Sequence, residues 1–184
     1  MKDQDTRSSF EARVLRPRSG GDGDDWAFVV LPPAASARLP RRGRTTVTAS
    51  LNGHRFDRQL EPDGQKSHWL RIDRAQLEAS GAAVGAVARF EIETTKEPEP
   101  AVPDDLAEAL DAAPEARATW EATTTIARVD WIHWITSARQ TKTRAKRIHD
   151  ACDMLASGKK RVCCFDPSGF YSKAFSAPEA DGDG

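Results

Sequence analysis

The period of this sequence changes at one place, and that change limits what the chain can become. From Thr94 to Pro103 runs TTKEPEPAVP, a charged stretch with three prolines. Proline fixes its φ and has no N–H to donate, so such a stretch excludes a helix interior and a central strand. Before it, short apolar runs alternate with turn residues. After it, apolar residues recur at helical spacing. A chain built this way folds as two modules of different kinds.

In the first part, FEARVL (Phe10 to Leu15) alternates, with Phe10, Ala12 and Val14 on one face. WAFVVL (Trp26 to Leu31) is continuously apolar, which suits a strand covered on both sides. TTVTASL turns Val47, Ala49 and Leu51 inward. Asn52-Gly53 then separates two alternating runs and predicts a tight hairpin, because both residues accept positive φ. EPDGQ marks the next turn, and HWLRI and AVARFEIET complete the strands, with Phe90 and Ile92 facing the core. A turn or two of helix is expected at Pro33 to Leu39, and a short helix at Asp73 to Ala79 with Asp73 as N-cap. Short strands joined by tight turns predict a small antiparallel β-barrel, about residues 8–96.

In the second part, Pro103 and Pro114 sit where first helical positions are expected. Leu106 and Leu110 lie four apart. Ala127, Trp131, Trp134, Ile135 and Ala138 make one apolar stripe, and Ala145, Ile148, Ala151, Cys152 and Leu155 make another. Helices this short are stable only when packed on each other, so a small all-α helical module is expected at about residues 101–157. The fold class is therefore α+β. Beyond Ser157 the period is lost, and residues 158–184 read as a disordered tail whose aromatic residues Phe165, Phe170, Tyr171 and Phe175 are available to dock or bind.

Apolar content of 39% with 30% charged residues fits a globular chain, and a net charge of −1 argues against bulk nucleic-acid binding. No run of ~18 apolar residues and no apolar leader are present, so a cytoplasmic location is expected. Three cysteines give no disulfide framework.

Several strings resemble a known bacterial family. LNGHRF (Leu51 to Phe56) resembles the I-N-G-x-P-F turn of small double-split β-barrels related in shape to the AbrB/MazE-like fold. EPAVPDDLAEAL (Glu99 to Leu110) resembles a V-P-x-D-L-x-x-A-L linker and first helix. WIHWITSARQTKTRAKRI (Trp131 to Ile148) resembles the W-I-x-x-A-K-x-x-E-T-R-x-R-R-I signature of the YdeI/OmpD-associated, or bacteriocin-protection, helical domain. The likeness runs in order from Phe10 to Gly158. It departs at Arg139, where lysine is usual, at Lys142, where glutamate is usual, and at Gly85-Ala86, where Gly-Asp is usual. The resemblance implies a double-split barrel followed by the helical domain, and a protective role against bacteriocins or envelope stress with no established catalytic residue.

The stretch Arg139 to Arg147 carries five basic residues in nine positions and no acid. On a helical wheel Arg144 falls inside the arc of Ile148, Ala151 and Leu155, Arg147 lies at its edge, and Lys142 and Lys146 lie outside it. An inward arginine must satisfy five donors. Arg144 is therefore expected to be at least half buried and paired with a carboxylate or with helix C-terminal carbonyls, at roughly 2–4 kcal/mol for its loss. Against that stapling role stands an anion site of Arg139, Lys142, Arg144 and Arg147 near a helix N-terminus, or a nucleic-acid patch.

The remaining candidates read as structural. Trp131 and Trp134 have core spacing, and His133 is expected to be exposed. His149, Cys152, Cys163 and Cys164 lack the spacing of a metal site. GGDGDD (Gly20 to Asp25) precedes a strand and reads as a loop, not a phosphate cradle. Asp104 and Asp105 suit the first turn of a helix, and His54 and His68 show no partner in sequence. The expectation is a non-enzymatic binding module without metal or cofactor, its partner a protein or an anionic ligand. A nucleic-acid-binding regulator using the barrel or the basic helix is the alternative.

Overall fold

The structure, a computed structural model, describes residues 7–18 and 25–181. It divides into two compact units: Met1–Lys96 with Ser168–Gly184, and Glu97–Pro167. The loop expected at Gly20 to Asp25 lies, apart from Asp25, outside the described residues.

The first unit is a curled antiparallel sheet of six strands among the described residues: β1 (Ser8–Arg13), β2 (Ala27–Val30), β3 (Thr45–Leu51), β4 (His54–Pro62), β5 (His68–Ile72) and β6 (Val87–Thr94). They lie in the order β1-β6-β3-β4-β5-β2. The outermost strands, β1 and β2, approach each other just past the end of β1. There Leu15 and Phe28 exchange two backbone hydrogen bonds of 2.8 and 2.9 Å. The curl thus gives a barrel-like form around one core, which includes Val14, Val29, Val47, Leu51, Leu70 and Phe90. The alternating residues read from the sequence do face inward: Val47, Ala49 and Leu51 are fully buried. The hairpin is two residues long, with Leu51 opposite His54 and positive φ at Asn52 (47°) and Gly53 (88°). Helix α1 (Pro33–Ala37) and helix α2 (Arg74–Ser80) fall where short helices were expected. At Asp73, the N-cap of α2, the backbone N–H donates to Gln76 Oε1 at 3.0 Å.

The second unit carries α3 (Asp104–Asp111), α4 (Pro114–Ala122), α5 (Thr125–Thr136) and α6 (Thr141–Ala156). Pro114 opens α4, whereas Pro103 is the N-cap of α3, one place earlier than the first helical position expected for it. Leu106, Leu110, Trp131, Ile135, Ile148 and Leu155 share one core. Ala145, expected in the stripe of α6, is exposed.

The segment after Ser157 departs most from expectation. It lacks a hydrophobic period and reads as disordered, yet it takes defined places. Lys160 O accepts from Thr123 Oγ1 at 2.8 Å and from Trp131 Nε1 at 3.1 Å, so the chain folds back over α5. Residues 168–181 join the first unit. Arg18 N donates to Glu179 O at 2.7 Å and Asp181 N to Arg16 O at 2.8 Å, a short antiparallel ladder. Lys66 Nζ lies 4.4 Å from the centre of the Phe170 ring. Backbone ladders and isolated aromatic anchors carry no sequence period, which is why this docking left no signal.

Gly64 records the same contact. Its φ is +75°, and a Cβ placed there meets Phe175 O at 2.0 Å. Gly53 also has positive φ, but a Cβ there meets nothing within 4 Å. Gly53→Ala should therefore cost only the backbone strain, about 1 kcal/mol. Gly64→Ala should cost about 2 kcal/mol or more and speed proteolysis within 168–181. Chemical denaturation of both variants checks this. Equal losses with unchanged proteolysis mean that the C-terminal segment is not seated on Gly64.

Candidate functional site

The basic run resolves into separate contacts. Arg144 donates from Nε to Asp105 Oδ2 at 2.7 Å and from a terminal nitrogen to Oδ1 at 3.1 Å, a two-point pair between α6 and the first turn of α3. The hydrogen bonds from Arg144 hold the Asp105 carboxyl below the usual carboxylate range. The Arg144 side chain is 32% exposed, so it is more than half buried, as its place on the wheel implies. Its partner is 45% exposed, which puts the pair nearer a surface bridge than a buried one. The 2–4 kcal/mol expected for a buried pair therefore falls to about 1 kcal/mol.

The helix-terminal carbonyls go to Arg147 instead. It donates to Trp134 O at 2.6 Å and to Ser137 Oγ at 3.1 Å, and its guanidinium carbon lies 5.5 Å from the centre of the Trp134 ring. It thereby closes the last turn of α5. Arg128 does the same for α4, donating to Trp120 O at 3.1 Å and Thr123 O at 2.6 Å while paired with Glu99. Sequence spacing gave no hint of Arg128. Lys146 pairs with Asp150 one turn on, and Arg139 and Lys142 stand exposed. The four residues weighed as one anion site thus divide into two structural arginines and two solvent-facing cations.

His133 is not exposed as expected but 2% exposed, with the Phe165 ring packed edge-on at 5.2 Å. The cause is the chain after α6 folding back over α5, so that a helix read as having one apolar stripe is covered on several sides. Cys152 is half-buried, its thiol pushed up by that burial, and His149 faces Asp153 at 3.4 Å. Among the described residues no three metal-ligating side chains cluster.

The first unit holds a polar pair missed in the sequence. His68 and Ser36 are both fully buried. Ser36 Oγ and His68 Nδ1 are 2.7 Å apart, and His68 Nε2 is 2.8 Å from Gly43 O. A carbonyl can only accept, so Nε2 carries the proton and Nδ1 accepts from the serine hydroxyl. Arg42 also donates to Ser36, to Oγ at 3.1 Å and to its carbonyl at 2.6 Å. A serine bonded to an oriented imidazole resembles a nucleophile and its base. Both side chains are closed to solvent, and the pair ties α1 to β5 and to the loop at Gly43. Burial, with Arg42 adding to it and the Gly43 hydrogen bond opposing it, pushes the His68 pKa down to about 4.

On the outer face of the sheet, rings and cations stand together. Phe28 points away from the core, opposite Arg71, yet is 1% exposed. Trp26 and Trp69 flank it, with ring centres 6.4 and 6.2 Å away. The Arg71 guanidinium lies 4.4 Å from the Trp26 ring centre. Asp73 fixes it at 2.8 Å while accepting from Arg58 at 2.6 Å. Burial raises the Asp73 pKa, but the hydrogen bonds from Arg71 and Arg58 outweigh it, so the carboxyl stays below its usual range. The result is an aromatic surface carrying Arg71, which Asp73 holds in place. Alternation in HWLRI places Trp69 and Arg71 on one face, a signal present in the sequence but not connected there to Trp26.

Comparison with known families places two matches on the chain. Residues 99–158 match the family described as Bacteriocin-protection, YdeI or OmpD-Associated. Residues 10–92 match Domain of unknown function (DUF1905). No curated protein matches the chain. Among the described residues, no helix is long and apolar enough to cross a membrane.

Two measurements check these assignments. Arg144→Ala and Arg147→Ala should each destabilise by about 1 kcal/mol, and Lys146→Ala by less than about 0.5 kcal/mol. Equal, negligible losses at all three positions mean a purely solvated run. His68 gives a pH dependence. Its folded pKa of about 4 lies below the unfolded value of 6.5, so only the unfolded chain gains a proton between them. Stability is full above pH 6.5, falls as pH drops towards 4, and gains no further loss from this group below that. From pH 7 to pH 5 the loss should be about 2 kcal/mol, and His68→Gln should flatten that window. Denaturation midpoints independent of pH across it count against a buried neutral His68.

Proposed function

We propose that this chain, whose residues 99–158 belong to the bacteriocin-protection, YdeI or OmpD-associated family and whose residues 10–92 match a domain of unknown function, is a non-catalytic binding module with a role in bacteriocin or stress protection, working in the cytoplasm. The observation that carries this reading is the fixed surface of Trp26, Trp69 and Arg71. Rings held in place by packing and a cation held by Asp73 lose little freedom on binding, and preorganisation of this kind is what a recognition surface needs. A planar or anionic group on a partner protein or small ligand suits it. The sealed Ser36–His68 pair supports binding over hydrolysis, because both side chains are closed to solvent and bonded inside the protein. Arg139 and Lys142 add solvent-facing positive charge on the second unit.

A second reading, nucleic-acid binding by the barrel, draws on the same surface. Bases stack on exposed rings, and arginine contributes to that stacking. A double-split, AbrB-like form of the sheet belongs to this reading, as an analogy of fold.

The test is genetic and biochemical. In a strain lacking the gene and challenged with a bacteriocin, the intact chain should restore survival, and Trp26→Ala/Arg71→Ala with an unchanged fold should not. Full complementation by that variant removes the surface from the argument. A mobility shift of a single-stranded oligonucleotide that weakens steeply with salt, and is lost in the variant, transfers support to the second reading.

A further inference from the structure

Two thiols remain that neither the packing nor the proposed surface uses. Cys163 and Cys164 are adjacent and both exposed, with their sulfurs 2.8 Å apart. Successive side chains of an extended chain point to opposite sides. Here Cys164 has a φ of +62°, a left-handed conformation that a non-glycine residue adopts at a cost of about 1 kcal/mol or more. That turn brings both sulfurs to one side. The pair is also held at each end. Lys160 O accepts from Thr123 and Trp131, Val162 packs against the helical core, and the Phe165 ring meets His133 at 5.2 Å. Two exposed thiols therefore sit side by side on an anchored loop, in a backbone conformation that packing on either side sustains.

We propose that Cys163 and Cys164 form a redox site whose substrate class is the small disulfide, closing by thiol–disulfide exchange to an intrachain bond between neighbouring residues. In the first step the Cys163 thiolate attacks one sulfur of the small disulfide. That S–S bond breaks, a mixed disulfide forms, and one thiolate leaves. Cys164 then attacks the Cys163 sulfur, forming the Cys163–Cys164 bond and releasing the second thiolate. The two cysteines are oxidised, the small disulfide is reduced to two thiols, and the hydrogens of the two cysteines end on those thiols. The Cys164 thiol is pushed up by its hydrogen bond and charge interaction with the Cys163 sulfur, and Lys159 opposes that rise. The two thiols lack a third metal-ligating neighbour among the described residues, so a tetrahedral metal site is not what they build. A disulfide in so small a ring is strained and exposed, the kind that is readily reduced and serves as a switch rather than a staple. Closing it changes the backbone between the contacts that Lys160 and Phe165 make with α5.

Cys152 supplies an internal control, since burial raises its thiol. The intact chain is treated with oxidised glutathione, blocked with a maleimide, and read by intact mass and peptide mapping. The expected product is a monomer that has lost two hydrogens, carries one maleimide, on Cys152, and returns to three maleimides after dithiothreitol. Cys163→Ser and Cys164→Ser, with unchanged circular dichroism, should never lose two hydrogens and should stop at a mixed disulfide. Phenylarsine oxide, which bridges neighbouring thiols, should protect both cysteines in the intact chain and neither variant. Glutathione on both cysteines, a disulfide-linked dimer, or unreacted thiols overturns the proposal. So does arsenical protection without disulfide closure, because that leaves a chelate with no redox step.

Discussion

The two hydrogen bonds exchanged by Leu15 and Phe28 join the outermost strands of the sheet, and the rest of the first unit depends on that closure. An open sheet leaves two edges of unpaired N–H and C=O groups and one face of its core exposed. Curling until the chain just past β1 meets the start of β2 pairs part of those edges, and the core holds Val14, Leu51, Leu70 and Phe90 together. The pairing also fixes which residues of β2 point outward. Phe28 must then be covered from outside, and Trp26 and Trp69 do so. The surface proposed for recognition is in this sense a by-product of closing the sheet.

Closure alone does not hold the short helix α1, whose five residues are too few to be stable without tertiary contacts. His68 does that work by spending both ring nitrogens inside the protein, on Ser36 and on Gly43. A buried polar network fully satisfied in this way specifies one arrangement of its parts, at the cost of a histidine that must stay neutral. Both ring nitrogens are thereby bonded inside the protein, and α1 is pinned to β5 and to the loop at Gly43.

The second unit solves a different problem with arginine. Its helices are short, and each end leaves carbonyls without partners. Arg128 and Arg147 satisfy those of α4 and α5, and Arg144 ties α6 to the first turn of α3. Planar guanidinium groups with several donors suit this better than lysine, and the exposed cations of the run include the lysines Lys142 and Lys146. A run that looks like one charged patch thus divides, with Arg144 and Arg147 tying helices and Arg139, Lys142 and Lys146 facing solvent.

Side-chain period was enough to place the strands, the Asn52-Gly53 hairpin, the α6 core of Ile148, Ala151 and Leu155, and Arg144 on the inward side of its helix, because period and turn chemistry are local properties of the chain. The family likeness was legible for the same reason, in short strings that keep their order. What the sequence could not determine were the contacts made between distant segments: Asp105 as the partner of Arg144, Arg147 and Arg128 at helix ends, His68 with Ser36, and His133 covered by Phe165. The segment after Ser157 shows the limit most plainly. Its place rests on backbone bonds to Arg16 and Arg18 and on a close approach at Gly64. Neither depends on the pattern of side chains along the segment itself, so only the tertiary structure decided that it folds back.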